Sequence, residues 1–169
     1  MNEQIRISGI VEESIVDGKG IRYVIFTQGC PHNCPGCHNP QTHNFDGGKD
    51  ADISTLFEEI VENPLLKGVT FSGGEPFCQP LPLAELAKLI HARGMDITAY
   101  TGYTLEQLQA KNDSSINALL EQTDVLIDGR FELEQKDLTL LFRGSRNQRV
   151  IDVKKTLASL TGQIVLCEE

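Results

Sequence analysis

Short apolar runs alternate with amphipathic helical patterns along most of the chain. The clearest run, Arg22 to Thr27, is rich in β-branched and aromatic residues, and similar runs cover Gly68 to Ser72, Asp96 to Tyr100 and Asp124 to Ile127. Runs of this length and composition predict buried strands. Each is followed by a loop that contains glycine, so the pattern predicts four strands with unusual loops at their C-terminal ends.

Helical patterns fill the intervals between these runs. One apolar stripe covers residues 53–61, where Asp52 is in position to cap the helix, and a second covers residues 83–90. Further helices are expected to begin near Thr104 and Ser115. Strands that alternate with helices predict a parallel sheet with right-handed crossovers, and the loops after such strands meet at one edge, where ligands bind.

The chain is too short for a closed barrel of this type. A complete eight-fold barrel takes ~250 residues, whereas this chain has 169. We therefore expect an α/β fold that is a partial, incomplete TIM-type barrel with parallel strands. It should form a single domain over residues 1–169, with a core at about 10–150 and C-terminal strands near Gln148 to Lys154 and Gln163 to Cys167.

Charge and hydropathy exclude several classes of partner. The net charge of -9 has the wrong sign for holding a nucleic-acid backbone. No window approaches the ~18 uninterrupted apolar residues of a membrane helix. The opening Met1-Asn2-Glu3-Gln4 lacks the basic and apolar regions of a signal peptide. We expect a cytoplasmic protein that contacts neither nucleic acid nor membrane.

Three cysteines crowd into the loop after the first predicted strand. Cys30, Cys34 and Cys37 can each bind one iron of a cubane cluster, whereas Cys78 and Cys167 lie far away along the chain. An electron carrier uses four cysteines, so a cluster with three leaves one iron open to a substrate. This interpretation predicts catalysis at the loop.

Two other interpretations of the cysteines stay open at this point. His32, His38 or His43 could join the three thiolates in a structural zinc site, which would make the protein a zinc-stabilised binding module. The segment Cys34-Pro35-Gly36-Cys37 could instead be a dithiol redox pair, although such pairs normally open a helix.

A second motif follows the second predicted strand. In Ser72-Gly73-Gly74-Glu75-Pro76 the glycines would let the backbone approach a ligand, and Glu75 could receive an ammonium group. Taken alone, the motif is equally typical of a plain turn with a solvated carboxylate.

The two motifs together resemble the radical S-adenosylmethionine superfamily. Within it, the chain resembles the activating proteins of anaerobic ribonucleoside-triphosphate reductase over about residues 10–150. The segments that carry this resemblance are Gly29-Cys30, Cys34 to Pro40, Thr101-Gly102-Tyr103, Asp124 to Gly129 and Phe142 to Arg149.

The resemblance implies an activase. The open iron of a [4Fe-4S] cluster at Cys30, Cys34 and Cys37 would bind S-adenosylmethionine, and its cleavage would generate a glycyl radical on anaerobic ribonucleoside-triphosphate reductase. A low-potential electron donor would be needed, and no catalytic side chain is implied beyond the cluster and S-adenosylmethionine. Another glycyl-radical enzyme, such as formate lyase, is the alternative substrate. The implied S-adenosylmethionine contacts are Gly36, Cys37, His38, Gly73, Gly74, Glu75 and Arg130.

Three features near this site carry more than one interpretation. Arg130 corresponds to a basic position in the related formate-lyase activators, and it could equally be a solvated surface arginine. The run Arg143 to Arg149 could grip the nucleoside, the methionine carboxylate or the partner, or form a solvated loop. Cys78 could face the same cavity as Glu75, or act as a small apolar residue.

Overall fold

A computed structural model describes residues 3–167, which build one seven-stranded sheet. The strands are β1 (Gln4–Ser14), β2 (Arg22–Thr27), β3 (Lys49–Asp52), β4 (Gly68–Gly73), β5 (Asp96–Tyr100), β6 (Val125–Asp128) and β7 (Arg149–Asp152). The helices are α1 (Ile53–Glu62), α2 (Pro80–His91), α3 (Leu105–Ala110), α4 (Ser114–Gln122) and α5 (Val153–Ala158). The strand order across the sheet is β3-β1-β2-β4-β5-β6-β7.

The four predicted strands form the parallel centre of the sheet. β2, β4, β5 and β6 pair in parallel, and each lies within one residue of its predicted bounds. Within residues 3–167 the edge strands β3 and β7 do not pair with each other, so the sheet is open. The predicted fold class, an α/β partial barrel, is confirmed.

Both edges of the sheet are antiparallel, which the alternating pattern did not predict. β1 and β3 were missed; β1 pairs antiparallel with β2 and β3, and β7 pairs antiparallel with β6. A parallel connection needs roughly a dozen residues, usually a helix, and residues 15–21 between β1 and β2 are too few. The strand predicted at Gln163 to Cys167 is wrong, because only one bridge, between Ile151 and Leu166, forms there.

The two faces of the central strands have different chemistry. Tyr23, Ile25 and Phe71 belong to the apolar core against the helices, and the Tyr23 hydroxyl donates to Glu59 of α1. The other face carries Phe26 and Tyr100 at its C-terminal edge, where they line a cavity. None of the helices within residues 3–167 is long and apolar enough to cross a membrane.

A buried arginine fills the N-terminal end of this second face. Arg22 is 1% exposed, and its guanidinium donates to the Thr70 hydroxyl and the Val69 carbonyl and pairs with Asp96 at 2.7 Å. Burying a cation is tolerable only when such partners satisfy it. The open space in the half-barrel is therefore confined to the C-terminal edge.

One ion network fixes the C-terminal end of β6. Asp128 is buried and accepts from the Leu105 N–H at 2.8 Å and from Arg149 Nη2 at 2.6 Å. Arg149 also pairs with Glu106 at 2.6 Å. This network ties β6, β7 and the start of α3 together, and so fixes both ends of the connection between β6 and β7.

The side chain at the N-terminal capping position bonds to the helix at α3 but not at α1. Thr104 and Gln107 form a reciprocal capping box at the start of α3. Asp52 occupies the capping position of α1, as expected, yet its carboxylate accepts from Gln4 Nε2 at 3.0 Å and caps no helical N–H. The missed strand β1 explains this difference, because it supplies the competing donor.

The packing predicts a large difference between two substitutions. Phe71 is fully buried in β4, whereas Leu160 is fully exposed after α5. Phe71→Ala should lower the melting temperature by roughly 6 to 20 °C, since such a truncation costs about 3 to 5 kcal/mol and each kcal/mol shifts the midpoint by roughly 2 to 4 °C. Leu160→Ala is the control and should leave it nearly unchanged. Equal melting temperatures for the two variants, measured anaerobically by calorimetry, would contradict the described core.

Candidate functional site

A cavity of about 470 Å³ lies at the C-terminal edge of the parallel strands. Its wall includes Cys30, Cys34 and Cys37 together with the strand-terminal residues Phe26 and Tyr100. The cysteine loop and the loops after β4, β5 and β6 thus meet where parallel strands deliver them.

A tight turn sets the spacing of the second and third cysteines. The Cys37 N–H donates to the Cys34 carbonyl at 3.1 Å, with Pro35 and Gly36 at the two central positions. Gly36 has φ of 75°, so proline and glycine occupy the positions that a type II turn favours. Gly36 therefore lies at the tip of the turn and is not among the residues that line the cavity.

The base of the cysteine loop is closed by backbone hydrogen bonds. The Gly29 N–H donates to Thr42 at 2.7 Å, and the Cys30 N–H donates to His43 at 3.2 Å. The Glu75 N–H donates to the Gly29 carbonyl at 2.8 Å, which joins this base to the loop after β4.

Burial and nearby backbone N–H groups act in opposite directions on the thiols of the first two cysteines. Burial raises the pKa of the Cys30 thiol, while the N–H groups of His32 and Asn33 oppose that rise. Burial likewise raises the pKa of the Cys34 thiol, and the N–H of Phe131 opposes it. Donors of this kind stabilise thiolates and tune the potential of a bound cluster.

The third cysteine lies beside an aromatic pair. The Asn39 N–H donates to Cys37 Sγ at 3.5 Å, and the His38 ring packs on Phe131 with centroids 5.1 Å apart. Both rings line the cavity. Phe131 was not singled out from the sequence, because its connection carries no regular pattern.

The donor set fits an iron-sulfur cluster. All three cysteines are free thiols, and all three line the same cavity. Iron-sulfur clusters are bound by cysteine thiolates, and in a cubane each thiolate binds a different iron. Cys30, Cys34 and Cys37 would hold the cluster.

The glycines and the glutamate of the second motif have different positions. Gly73 and Gly74 line the cavity, whereas Glu75 does not and is 0% exposed. The sequence suggested that the Glu75 carboxylate could receive the ammonium group of a ligand, but in the structure this carboxylate is directed into the protein. Its partners are His32, Phe77, Thr101 and Gly102.

The arginine in the cavity wall is not the one expected from the sequence. Arg130 is exposed and does not line the cavity. Arg143 does, and among residues 3–167 no other Lys or Arg lines it. Its Nη1 donates to the Gln148 carbonyl at 2.5 Å. The sequence left open whether the run from Arg143 to Arg149 grips a ligand or the partner, or forms a solvated loop, and it did not single out Arg143 within the run.

The two remaining cysteines lie outside the cavity. Cys78 borders a separate depression of about 300 Å³ beside Gln79 and Pro80. Cys167 pairs through its N–H with the Val150 carbonyl at the far edge of the sheet. Neither thiol lines the wall formed by Cys30 and its neighbours.

The chain is similar to known proteins over most of its length. Residues 16–151 match the family model described as a 4Fe-4S single cluster domain. The anaerobic ribonucleoside-triphosphate reductase-activating protein of Haemophilus influenzae is 34% identical over 149 aligned residues, covering 79% of this chain and 89% of that protein. The chain belongs to this family of activating proteins. The resemblance drawn from the sequence is confirmed, and the chain is an iron-sulfur enzyme.

Two further proteins are similar to parts of the chain. The pyruvate formate-lyase-activating enzyme of Clostridium pasteurianum is 42% identical over 106 aligned residues, covering 58% of this chain and 44% of that enzyme. The crystal structure of QueE from Escherichia coli superposes with a TM-score of 0.47 at 22% identity, over 60% of this chain and 53% of that chain. The zinc-stabilised binding module gains no support, because the matched family carries a 4Fe-4S cluster.

The geometry predicts which cysteines are needed for the cluster. Cys30→Ser, Cys34→Ser and Cys37→Ser should each abolish cluster incorporation, because a site with three protein ligands has none to spare. Cys78→Ala and Cys167→Ala are the controls and should keep it. Iron, sulfide and visible absorbance of anaerobically purified protein provide the measurement. Loss of iron in Cys78→Ala as complete as in Cys37→Ser would mean four protein ligands.

Proposed function

We propose that the chain binds S-adenosylmethionine at an open iron of a [4Fe-4S] cluster and generates a glycyl radical on anaerobic ribonucleoside-triphosphate reductase. One observation carries this proposal: Cys30, Cys34 and Cys37 line one cavity, and among residues 3–167 no fourth cysteine does. Three thiolates leave one iron without a protein ligand, and that iron is available to a substrate.

The bound groups supply the radical chemistry. Held by Cys30, Cys34 and Cys37, the cluster would supply the electron for reductive cleavage of S-adenosylmethionine to methionine and an adenosyl group able to take the hydrogen atom from a glycine Cα. A low-potential electron donor must reduce the cluster. The reducing cytoplasm, where thiols stay free, is the compartment we propose.

The cavity offers suitable surfaces for S-adenosylmethionine. Its volume of about 470 Å³ is in the range of small-molecule sites. Gly73 and Gly74 present their backbone to the cavity where the methionine end would lie, and His38 with Phe131 offers flat rings to the adenine. Arg143 supplies a cation for the methionine carboxylate.

The rim of the cavity supports a protein substrate. Val16 is 70% exposed and Leu138 is 85% exposed, although both border the cavity. Exposed apolar groups around a cavity are typical of a surface that a partner covers. A glycine-bearing segment has no side chain to obstruct close approach of its Cα. We propose that this segment acts as both substrate and lid, which excludes water during the reaction.

A second candidate substrate is pyruvate formate-lyase. The 42% identity to a pyruvate formate-lyase-activating enzyme favours it, but the alignment covers only 44% of that enzyme. The reductase is preferred because the reductase-activating relative is covered over 89% of its length.

A specific contact from Arg143 to the ligand can be distinguished from the general effect of the positive charge in this segment. Arg143→Gln should weaken S-adenosylmethionine binding to cluster-loaded protein by roughly 10- to 150-fold, because a hydrogen bond to a charged group contributes about 1.5 to 3 kcal/mol. Arg146→Gln is the matched control, since Arg146 is exposed and does not line the cavity. Equilibrium binding under anaerobic conditions gives both affinities. Equal affinities for the two variants would remove Arg143 from the ligand site.

The partner can be identified by electron paramagnetic resonance. Reduced protein mixed with S-adenosylmethionine should give a glycyl-radical doublet only when anaerobic ribonucleoside-triphosphate reductase is present, because the open cavity needs the partner to close it. Without the reductase, cleavage should be slow and leave no stable radical. Changing the target glycine to alanine should abolish the doublet. A doublet obtained with pyruvate formate-lyase instead would transfer the assignment.

A further inference from the structure

Three loops of the site meet at one buried carboxylate. Glu75 follows β4, His32 belongs to the cysteine loop, and Thr101-Gly102 follows β5. His32 Nε2 lies 2.6 Å from Glu75 Oε1, and the Gly102 N–H donates to the same oxygen at 2.8 Å. The Thr101 hydroxyl lies 2.9 Å from both carboxylate oxygens, and the Phe77 N–H donates to Oε2 at 3.0 Å.

The carboxylate of Glu75 has no capacity left for a ligand. An ionised carboxylate is acceptor-only, with about four lone-pair sites. Four protein groups fill them: the hydroxyl of Thr101, the N–H groups of Phe77 and Gly102, and Nε2 of His32, which must carry a hydrogen to bond an ionised carboxylate. Because Glu75 is also fully buried, it reaches the cavity only through these neighbours.

The packing around the His32 ring also holds its contact with Glu75 in place. Its side chain is almost fully buried, and its ring meets Tyr103 edge-on with centroids 4.5 Å apart. A Cβ built on Gly102 would lie 2.3 Å from His32 Cδ2, so only glycine leaves room for the ring. This gives a physical reason for the Thr101-Gly102-Tyr103 motif, to which the proposed chemistry assigns no role.

We infer that Glu75 is a positioning residue that holds the cysteine loop through His32, and that it is not a contact of S-adenosylmethionine. His32 lies between Cys30 and Cys34, so the bond to Glu75 restrains the segment that carries two of the three thiolates. The inference rests on the proposed function only in taking these cysteines as the cluster ligands. Groups that orient the ligands of a metal site also influence how tightly the metal is held.

A double-mutant cycle tests this inference. Glu75→Gln keeps the shape but replaces one acceptor oxygen by an NH₂ group, and His32→Phe keeps a ring against Gly102 but removes the donor. Each should accelerate iron release from anaerobically loaded protein to a chelator by about tenfold or more. The double variant should be no faster than the faster single one, because both changes remove the same bond.

A spectroscopic readout separates positioning from general destabilisation. The electron paramagnetic resonance spectrum of the reduced cluster should shift in the same direction in both single variants. Gly102→Ala leaves Glu75 and His32 in place, but its added methyl group pushes on the His32 ring, so it should produce the same spectral shift. This variant keeps the test available even if Glu75→Gln folds poorly. Glu85→Gln, at an exposed position on α2, is the matched control for the chemical change and should behave as wild type.

The outcomes distinguish this inference from the proposed function. Unchanged iron release and spectra in Glu75→Gln and His32→Phe, with weaker S-adenosylmethionine binding in Glu75→Gln alone, would make Glu75 a ligand contact and overturn the inference. Additive effects in the double variant would also overturn it. Wild-type protein that holds no cluster would overturn the proposed function and this inference together.

Discussion

The site depends on the parallel pairing of β2, β4, β5 and β6. Strands that run in the same direction deliver the loops that follow them to one edge of the sheet, and these loops carry the cysteines, Gly73-Gly74 and Thr101-Gly102. Arg22 fills the opposite end of the same face, so the cavity is restricted to the edge where the loops meet. The antiparallel edge strands extend the sheet without closing it, which leaves one side of the cavity accessible.

Polar groups in this site fall into two classes with different tasks. The thiols, His38 and Arg143 face the cavity, where a cluster and an anionic or aromatic ligand group can meet them. Glu75 is buried behind the wall and fully satisfied by the protein. A buried carboxylate with four donors is costly to disturb, because each donor left unpaired loses its compensation for desolvation. This cost makes Glu75 suitable for joining loops that must keep a fixed geometry.

The sequence predicted the features that depend on local pattern. The four central strands lie within one residue of their predicted bounds, and the three cysteines share one cavity. It failed where long-range contacts decide the outcome. The missed β1 supplies Gln4, which donates to the carboxylate of Asp52. Three of the four donors around Glu75, from His32, Thr101 and Gly102, come from segments distant in sequence. The connection between β6 and β7 brings Arg143 to the cavity, but it has no periodic pattern of apolar residues from which this position could be predicted.

The central claim is that the cluster has three protein ligands and one open iron. Mössbauer spectroscopy of the ⁵⁷Fe-loaded protein, before and after addition of S-adenosylmethionine, tests it most directly because each iron site contributes its own signal. The account predicts that one of the four irons changes its isomer shift on addition of S-adenosylmethionine while the other three stay as they were. If the isomer shifts of all four irons stayed unchanged on addition of S-adenosylmethionine, the account would be contradicted, since such a cluster would have no open site.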